Sequence, residues 1–235
     1  MKRYVVLLSA GLDSSFNLWR CRAEGEIALA ITYDYGQRAA TQEIKYAAKQ
    51  CAELGIAHKV LALNWFADFA DSALINSDLA LPHGDEVDIE SLDRSRQTAQ
   101  RVWVPNRNGI FLNIAAAYAE HLGAQAIVPG FNREEAATFP DNSVDFSQAI
   151  NHSLSYSTAT GVRVESFSSH LDKSEIVAEA LKWQVRLDLV WACYFAGPEP
   201  CGNCESCQRF LRALSKNHAA KLQVSPGYAQ YLKES

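Results

Sequence analysis

The chain has 235 residues, 48% hydrophobic and 21% charged, enough to bury roughly 70% of its unfolded surface in a sizeable core. Its 22 Lys+Arg against 27 Asp+Glu leave a net charge of −5, which points to a small-molecule partner rather than a long nucleic acid, whose counterions only a basic surface displaces well. No apolar run reaches the roughly 20 residues that span a bilayer, and the stretch after Met1-Lys2-Arg3 is too short in apolar residues for a signal peptide, so a cytoplasmic protein with no membrane partner is expected.

Tyr4 to Leu8 reads as a buried strand that ends in Ser9-Ala10-Gly11. Ser14 to Glu24 reads as a helix, Ile27 to Tyr33 as a strand, Arg38 to Leu54 as a helix stopped by Gly55, and His58 to Leu63 as a strand. This alternation predicts a parallel sheet with helices on both faces. From Trp65 to Trp103 the periodicity dissolves among acidic residues; such a long connection predicts a lid, a binding loop or a disordered segment. The rhythm resumes with a helix from Gly109-Ile110 to Leu122 capped by Gly123, a strand over Ala126 to Gly130, and a helix over Asp145 to Ser155. A strand over Val162 to Phe167 and a helix over Asp172 to Trp183, with Asp172 as N-cap, complete it. A basic helix around Arg209 to Lys221 follows a cysteine cluster. Its Arg209, Arg212, Lys216 and Lys221 read as a solvated face, or as an RNA contact.

The expected fold class is α/β, a doubly wound parallel sheet followed by Cys193, Cys201, Cys204 and Cys207 at metal-ligand spacing, read as a C-terminal zinc knuckle, and by a helical tail. Residues 1–190 would form the α/β domain with a lid-like insertion over 65–104, and residues 191–235 the zinc-binding segment. The polar stretches Ser9 to Ser14, Asp34 to Arg38, Phe131 to Asn142 and Ser168 to Lys173 all follow predicted strands. In open parallel sheets ligands bind outside the carboxyl ends of the strands, so these stretches should converge there.

Ser9-Ala10-Gly11-Leu12-Asp13-Ser14-Ser15 joins the first strand to the first helix. Small residues let the backbone approach an anion, and a helix start offers free N–H groups and a favourable dipole. It lacks the Lys of a Walker loop and the spaced glycines of a dinucleotide fingerprint. An ordinary turn with Asp13 or Ser14 capping the helix is the competing reading. The loop resembles the Ser-Gly-Gly-x-Asp-Ser pyrophosphate loop of the N-type ATP pyrophosphatases, with Ala10 in place of the first of two glycines.

Cys193, Cys201, Cys204 and Cys207 lie within fifteen residues, with Gly202 available to turn the chain. Four thiolates at this spacing suit tetrahedral Zn²⁺ in a closed, structural site. A redox Cys-x-x-Cys pair and an iron–sulfur cluster are the alternatives. Cys21 and Cys51 read as small core residues.

Further segments resemble the 7-cyano-7-deazaguanine synthases of the queuosine pathway: Asp34-Tyr35-Gly36-Gln37-Arg38, Val104-Pro105-Asn106-Arg107-Asn108-Gly109-Ile110-Phe111-Leu112, Lys173-Ser174-Glu175-Ile176, and Cys193-Tyr194 leading to Cys201-Gly202-Asn203-Cys204-Glu205-Ser206-Cys207. The resemblance runs through nearly the whole chain in order. It implies an adenine nucleotide alpha hydrolase-like fold, a homodimer, and an ATP-dependent carbon–nitrogen ligase that turns 7-carboxy-7-deazaguanine and ammonia into the 7-cyano compound through adenylated intermediates. Its cofactors would be ATP with Mg²⁺ bridging the phosphates, and structural Zn²⁺.

Residue by residue, the resemblance puts Ser9, Gly11, Asp13 and Ser14 on the pyrophosphate end of ATP, with Ala10 and Leu12 in the same loop and Gly130 among the nucleotide-binding positions. Lys173 would neutralise phosphate charge, its competing reading being a solvated residue at a helix start, a poor place for a cation. Arg107 would do the same or hold the substrate carboxylate. Tyr35 and Gln37 would lie near adenine or the deazapurine, although Tyr35 also suits the core. Arg38 would bind nucleotide or form a surface salt bridge.

The segment after the fourth strand departs from the family pattern. Gly130-Phe131-Asn132-Arg133-Glu134-Glu135-Ala136-Ala137-Thr138-Phe139-Pro140-Asp141-Asn142 stands where members often have Gly-Tyr-Pro-Asp-Cys. Phe139 would supply a stacking face, and Asp141 would accept hydrogen bonds from the guanine-like N1–H and 2-amino edge. This divergence keeps open a ligase that passes a deazaguanine acid to another amine or a polypeptide. A non-catalytic nucleotide-binding or zinc-knuckle interaction module is the alternative of a different class.

Overall fold

The computed structural model describes residues 1–69, 71–217 and 223–232. Five strands form one sheet: β1 (Lys2–Leu7), β2 (Gly25–Asp34), β3 (His58–Ala62), β4 (Ala126–Val128) and β5 (Arg163–Val164), in the order β3-β2-β1-β4-β5. Every pairing is parallel, so the connections must cross the faces, and helices cover both. The helices are α1 (Leu12–Glu24), α2 (Ala40–Leu54), α3 (Leu92–Arg101), α4 (Arg107–His121), α5 (Arg133–Ala136), α6 (Val144–Ser157), α7 (Lys173–Lys182), α8 (Glu205–Lys216) and α9 (Pro226–Ala229).

The alternation of side chains along a strand divides the core. Tyr4 and Val6 of β1 pack with α1, α7 and α8 on one face, while Val5 packs with Ile31, Ile127 and α4 on the other. Cys193, Cys204, Cys207, Phe210 and Tyr228 belong to the first core. Gly55 and Gly123 take left-handed conformations, at φ of 65° each, just past α2 and α4, as helix ends favour. Asp172 accepts from the N–H groups of Ser174 and Glu175, and Glu175 accepts in return from the Asp172 N–H, which fixes the start of α7.

Several elements differ from the sequence expectations. Of the readings for the insertion, the disordered one does not hold for its described residues: α3 lies within it, capped by Ser91, and the Gly84 N–H donates to Asn203 O beside the cysteines at 2.9 Å. β5 has only two residues because the chain turns away to meet α1, where the Phe167 N–H donates to Asn17 Oδ1 at 2.8 Å. The solvated basic face does not form as expected. Arg209 is buried and Arg212 largely covered, because both meet carboxylates from distant segments. Lys216 is exposed, and Lys221 lies outside the described residues. Among the described residues no helix is long and apolar enough to cross a membrane.

Candidate active site

The strand order reverses between β1 and β4, and a cavity of about 250 Å³ opens there at the carboxyl edge of the sheet. The turn after β1 forms one wall. Gly11 is the N-cap of α1 and no side chain caps the helix, so neither Asp13 nor Ser14 plays the capping role. The hydroxyls brace the turn instead: Ser14 Oγ accepts from the Ser9 N–H at 3.3 Å and donates to Gly11 O at 3.2 Å. An uncapped helix start with small side chains is suited to an anion. Ala10 has φ of 60°, a conformation that costs a residue with a Cβ about 1 kcal/mol. Its carbonyl accepts from the Trp191 N–H at 2.8 Å. A Cβ on Gly130 would stand 2.7 Å from Ser14 N and 3.1 Å from Asp13 C, so only glycine lets the turn after β4 close on this loop.

Lys173 opens α7 and is buried, not solvated. Its Nζ lies 2.6 Å from Asp13 Oδ2 and 2.5 Å from Glu135 Oε1. Burial alone would lower the lysine's pKa, but the two carboxylates outweigh it and hold the ammonium well above its ordinary value. Burial, with the Glu135 charge nearby, pushes Asp13 up to about 6 against the pull of Lys173. Glu135 is held below the usual range because Lys173 outweighs its desolvation. Asp13 Oδ1 is buried without a hydrogen-bond partner.

The turn after β2 and the start of α4 form the facing wall. Arg107 Nη1 donates to Tyr35 Oη at 3.3 Å, and burial raises the Tyr35 phenol. Gln37 lines the cavity, but its amide is spent within the chain. Oε1 accepts from the Tyr35 N–H at 2.9 Å, while Nε2 donates to Tyr33 O at 2.9 Å and to Glu43 Oε2 at 2.8 Å. That leaves Glu43, absent from the sequence reading, as the carboxyl presented there, pushed up to about 7 by burial.

Ser9, Gly11, Leu12, Asp13, Ser14, Tyr35, Gln37, Arg107, Gly130, Phe139 and Lys173 thus share one cavity. Ala10 is buried behind the loop. Arg38 faces elsewhere: its Nη2 donates to Asn76 O at 2.7 Å and also to Leu79 O, tying down the insertion. Asp141 stands beside the cavity rather than in its lining; its carbonyl accepts from Asn108 Nδ2 at 3.3 Å. Its carboxyl is raised by burial, with Arg107 opposing. Glu135 was legible only as an oddity of the divergent segment, and no spacing rule singles out Glu43.

Cys193, Cys201, Cys204 and Cys207 bring their sulfurs within 4.8 Å of one another. Tetrahedral Zn–S bonds of about 2.3 Å imply S···S separations of about 3.8 Å, and the Cys201 and Cys207 sulfurs are 4.0 Å apart. The N–H groups of Phe195 and Cys201 point at Cys193 Sγ, both at 3.4 Å. The donor set and spacing fit a metal such as zinc. Cys193 also reaches the cavity wall, so the knuckle borders the candidate site.

The profile of the family described as "Queuosine biosynthesis protein QueC" matches residues 3–218. A "7-cyano-7-deazaguanine synthase" of Bdellovibrio bacteriovorus is 53% identical over 91% of this chain and 93% of its own. One of Desulforudis audaxviator is 50% identical over 89% and 94%, and one of Carboxydothermus hydrogenoformans is 45% identical over 92% and 100%. The chain therefore belongs to the queuosine biosynthesis protein QueC family.

Proposed function

We propose that the chain makes 7-cyano-7-deazaguanine from 7-carboxy-7-deazaguanine and ammonia at the expense of ATP. A carboxylate is a poor electrophile because its leaving group would be oxide. Attack of the carboxylate on the α-phosphorus of ATP forms an acyl–AMP and releases pyrophosphate. Ammonia then displaces AMP, loses a proton and leaves an amide. The amide oxygen attacks a second ATP, and departure of AMP with the nitrogen's remaining protons leaves the nitrile. Lys173, poised between Asp13 and Glu135 beside the uncapped start of α1, is the observation that carries this reading.

In this reading the Ser9–Ser14 turn holds the pyrophosphate end of ATP, and Lys173 balances the charge that develops there. Asp13 Oδ1, an unpartnered buried oxygen, with Glu135 beside it, would hold Mg²⁺. Bound there, Mg²⁺ would neutralise phosphate charge. Arg107 would meet the acid's carboxylate, with Phe139 and Tyr35 supplying ring faces. Ala10, Leu12 and Gly130 would shape the nucleotide loop, and Asp141 would meet the base edge from beside the lining. Arg38 would act at a distance by fixing the insertion. The four cysteines would hold zinc as a closed structural site, and residues 191–235 would be the zinc-binding segment of a homodimeric cytoplasmic enzyme.

Mass analysis of the product formed from ATP, Mg²⁺, ammonia and 7-carboxy-7-deazaguanine tests the reading. A nitrile is expected. Acid-dependent ATP cleavage without a nitrile would favour another amine acceptor, and no acid-dependent cleavage would favour a non-catalytic module.

A further inference from the structure

Glu134 and Glu135 grip the two ends of Lys173. Glu135 Oε1 takes its ammonium at 2.5 Å, and Glu134 Oε2 accepts its backbone N–H at 3.3 Å. That N–H belongs to the first residue of α7 and has no partner within the helix. Glu134 is itself held from behind by α8, with Arg209 Nη1 and Arg212 Nη2 both 2.5 Å from its Oε1.

Arg209 is buried, and its other two nitrogens are paired as well. Its Nη2 meets Glu205 Oε1 at 2.7 Å and donates to Ser95 Oγ of α3 at 3.0 Å, and its Nε donates to Glu205 Oε1 at 3.2 Å. Glu205 Oε2 accepts from Thr98 Oγ1 at 2.8 Å. Glu205 follows Cys204 directly, so the helix that carries this arginine grows straight out of the cysteine knuckle. A planar guanidinium that bridges two carboxylates through all three of its nitrogens fixes position in a way a point charge does not.

We infer that Arg209 is a positioning residue for the reaction: the cysteine-knuckle helix sets the place of Lys173 through Arg209 and Glu134. This rests on the reading of Lys173 as the phosphate-facing cation. A displacement of about 1 Å in a reacting group can cost about 100-fold in rate, so a purely scaffolding helix and a positioning one make different predictions.

The test compares wild type, Arg209→Met and Arg209→Lys as full, zinc-loaded chains. Zinc content, melting temperature, kcat and KM for ATP, and deuterium exchange at the Lys173 amide are measured. Arg209→Met is expected to keep zinc, expose the Lys173 amide to exchange, and lower kcat about 10- to 100-fold with KM for ATP within about 2-fold. Arg209→Lys should recover part of both effects. Unchanged exchange and kcat in a folded, zinc-bound Arg209→Met chain would overturn the inference, as would a fall in kcat without any change in exchange. If Arg209→Met does not fold, the shape-conserving Glu134→Gln carries the same comparison. Normal exchange and turnover there would overturn it equally. A wild-type chain that makes no nitrile contradicts the proposed reaction instead, while the exchange comparison still decides the structural link.

Discussion

Lys173 and Asp13, 160 residues apart in the chain, meet at 2.6 Å in the wall of the cavity at the carboxyl edge of the sheet. The pair joins the turn after the first strand to the start of α7, so the cation and the uncapped start of α1 come from distant parts of the sequence. Removing either partner should affect chemistry more than architecture only if the other keeps a counter-charge, and Lys173 keeps Glu135.

Asp13→Ala should therefore lower pyrophosphate release by at least about 100-fold while circular dichroism stays that of the wild type. Lys173→Met should be worse for stability, because it strands two carboxylates in a buried place, a change that typically costs about 3–5 kcal/mol. Melting curves and turnover of the two variants check both statements. Retained activity in Asp13→Ala would remove the loop from the mechanism.

Gly130→Ala should loosen nucleotide binding. The added Cβ meets backbone of Ser14 and Asp13, at 2.7 Å and 3.1 Å, and neither can rotate away as a side chain would. The expected result is a Kd for ATP raised about 10-fold or more and a loss of about 1–3 kcal/mol in stability, read by calorimetry and denaturant unfolding.

Glu43 gives a pH signature. Its carboxyl moves from the ordinary 4.5 to about 7 on folding because burial disfavours its charge. The folded state thus holds the proton more tightly than the unfolded one, and this contribution is present at low pH and lost as pH rises through about 7. Glu43→Gln cannot ionise, so its melting temperature relative to wild type should rise between pH 5 and pH 8. The full shift corresponds to at most about 3–4 kcal/mol. A difference that is flat with pH would contradict the burial argument.

Cys204→Ser should lower zinc content and the melting temperature together, the latter by roughly 10 °C or more, since a structural metal contributes folding energy. Cys204 is fully buried in the first core, so the loss should reach the α8 network and not remain confined to the tail. Elemental analysis with a melting curve checks it, and a zinc-free variant of normal stability would show the knuckle to be dispensable.

What could be read from the sequence follows from locality. The first three strands are apolar runs, α1 and α2 are periodic segments, the latter stopped by Gly55, and the cysteines are close in sequence, so short-range pattern suffices. α3 escaped because the side chains it buries are Ser95, Thr98 and Ala99, small and mostly polar, with no apolar stripe. Arg209 and Arg212 have the spacing of a solvated face, and only folding brings Glu134 and Ser95 to them. Glu135 and Glu43 face the cavity because their segments turn there, which the sequence does not signal locally. Gln37 shows the converse: a conspicuous motif residue whose amide is wholly consumed in holding Tyr33, Tyr35 and Glu43.

In the proposed reaction each nitrile needs two adenylations, one on the carboxylate oxygen and one on the amide oxygen. The route is checked by supplying 7-carboxy-7-deazaguanine with both carboxyl oxygens replaced by ¹⁸O and weighing the AMP, the phosphate products and the nitrile by mass spectrometry. Two AMP per nitrile are expected, each carrying one heavy oxygen, with pyrophosphate unlabelled. Heavy oxygen in inorganic phosphate, or AMP free of label, would contradict that route.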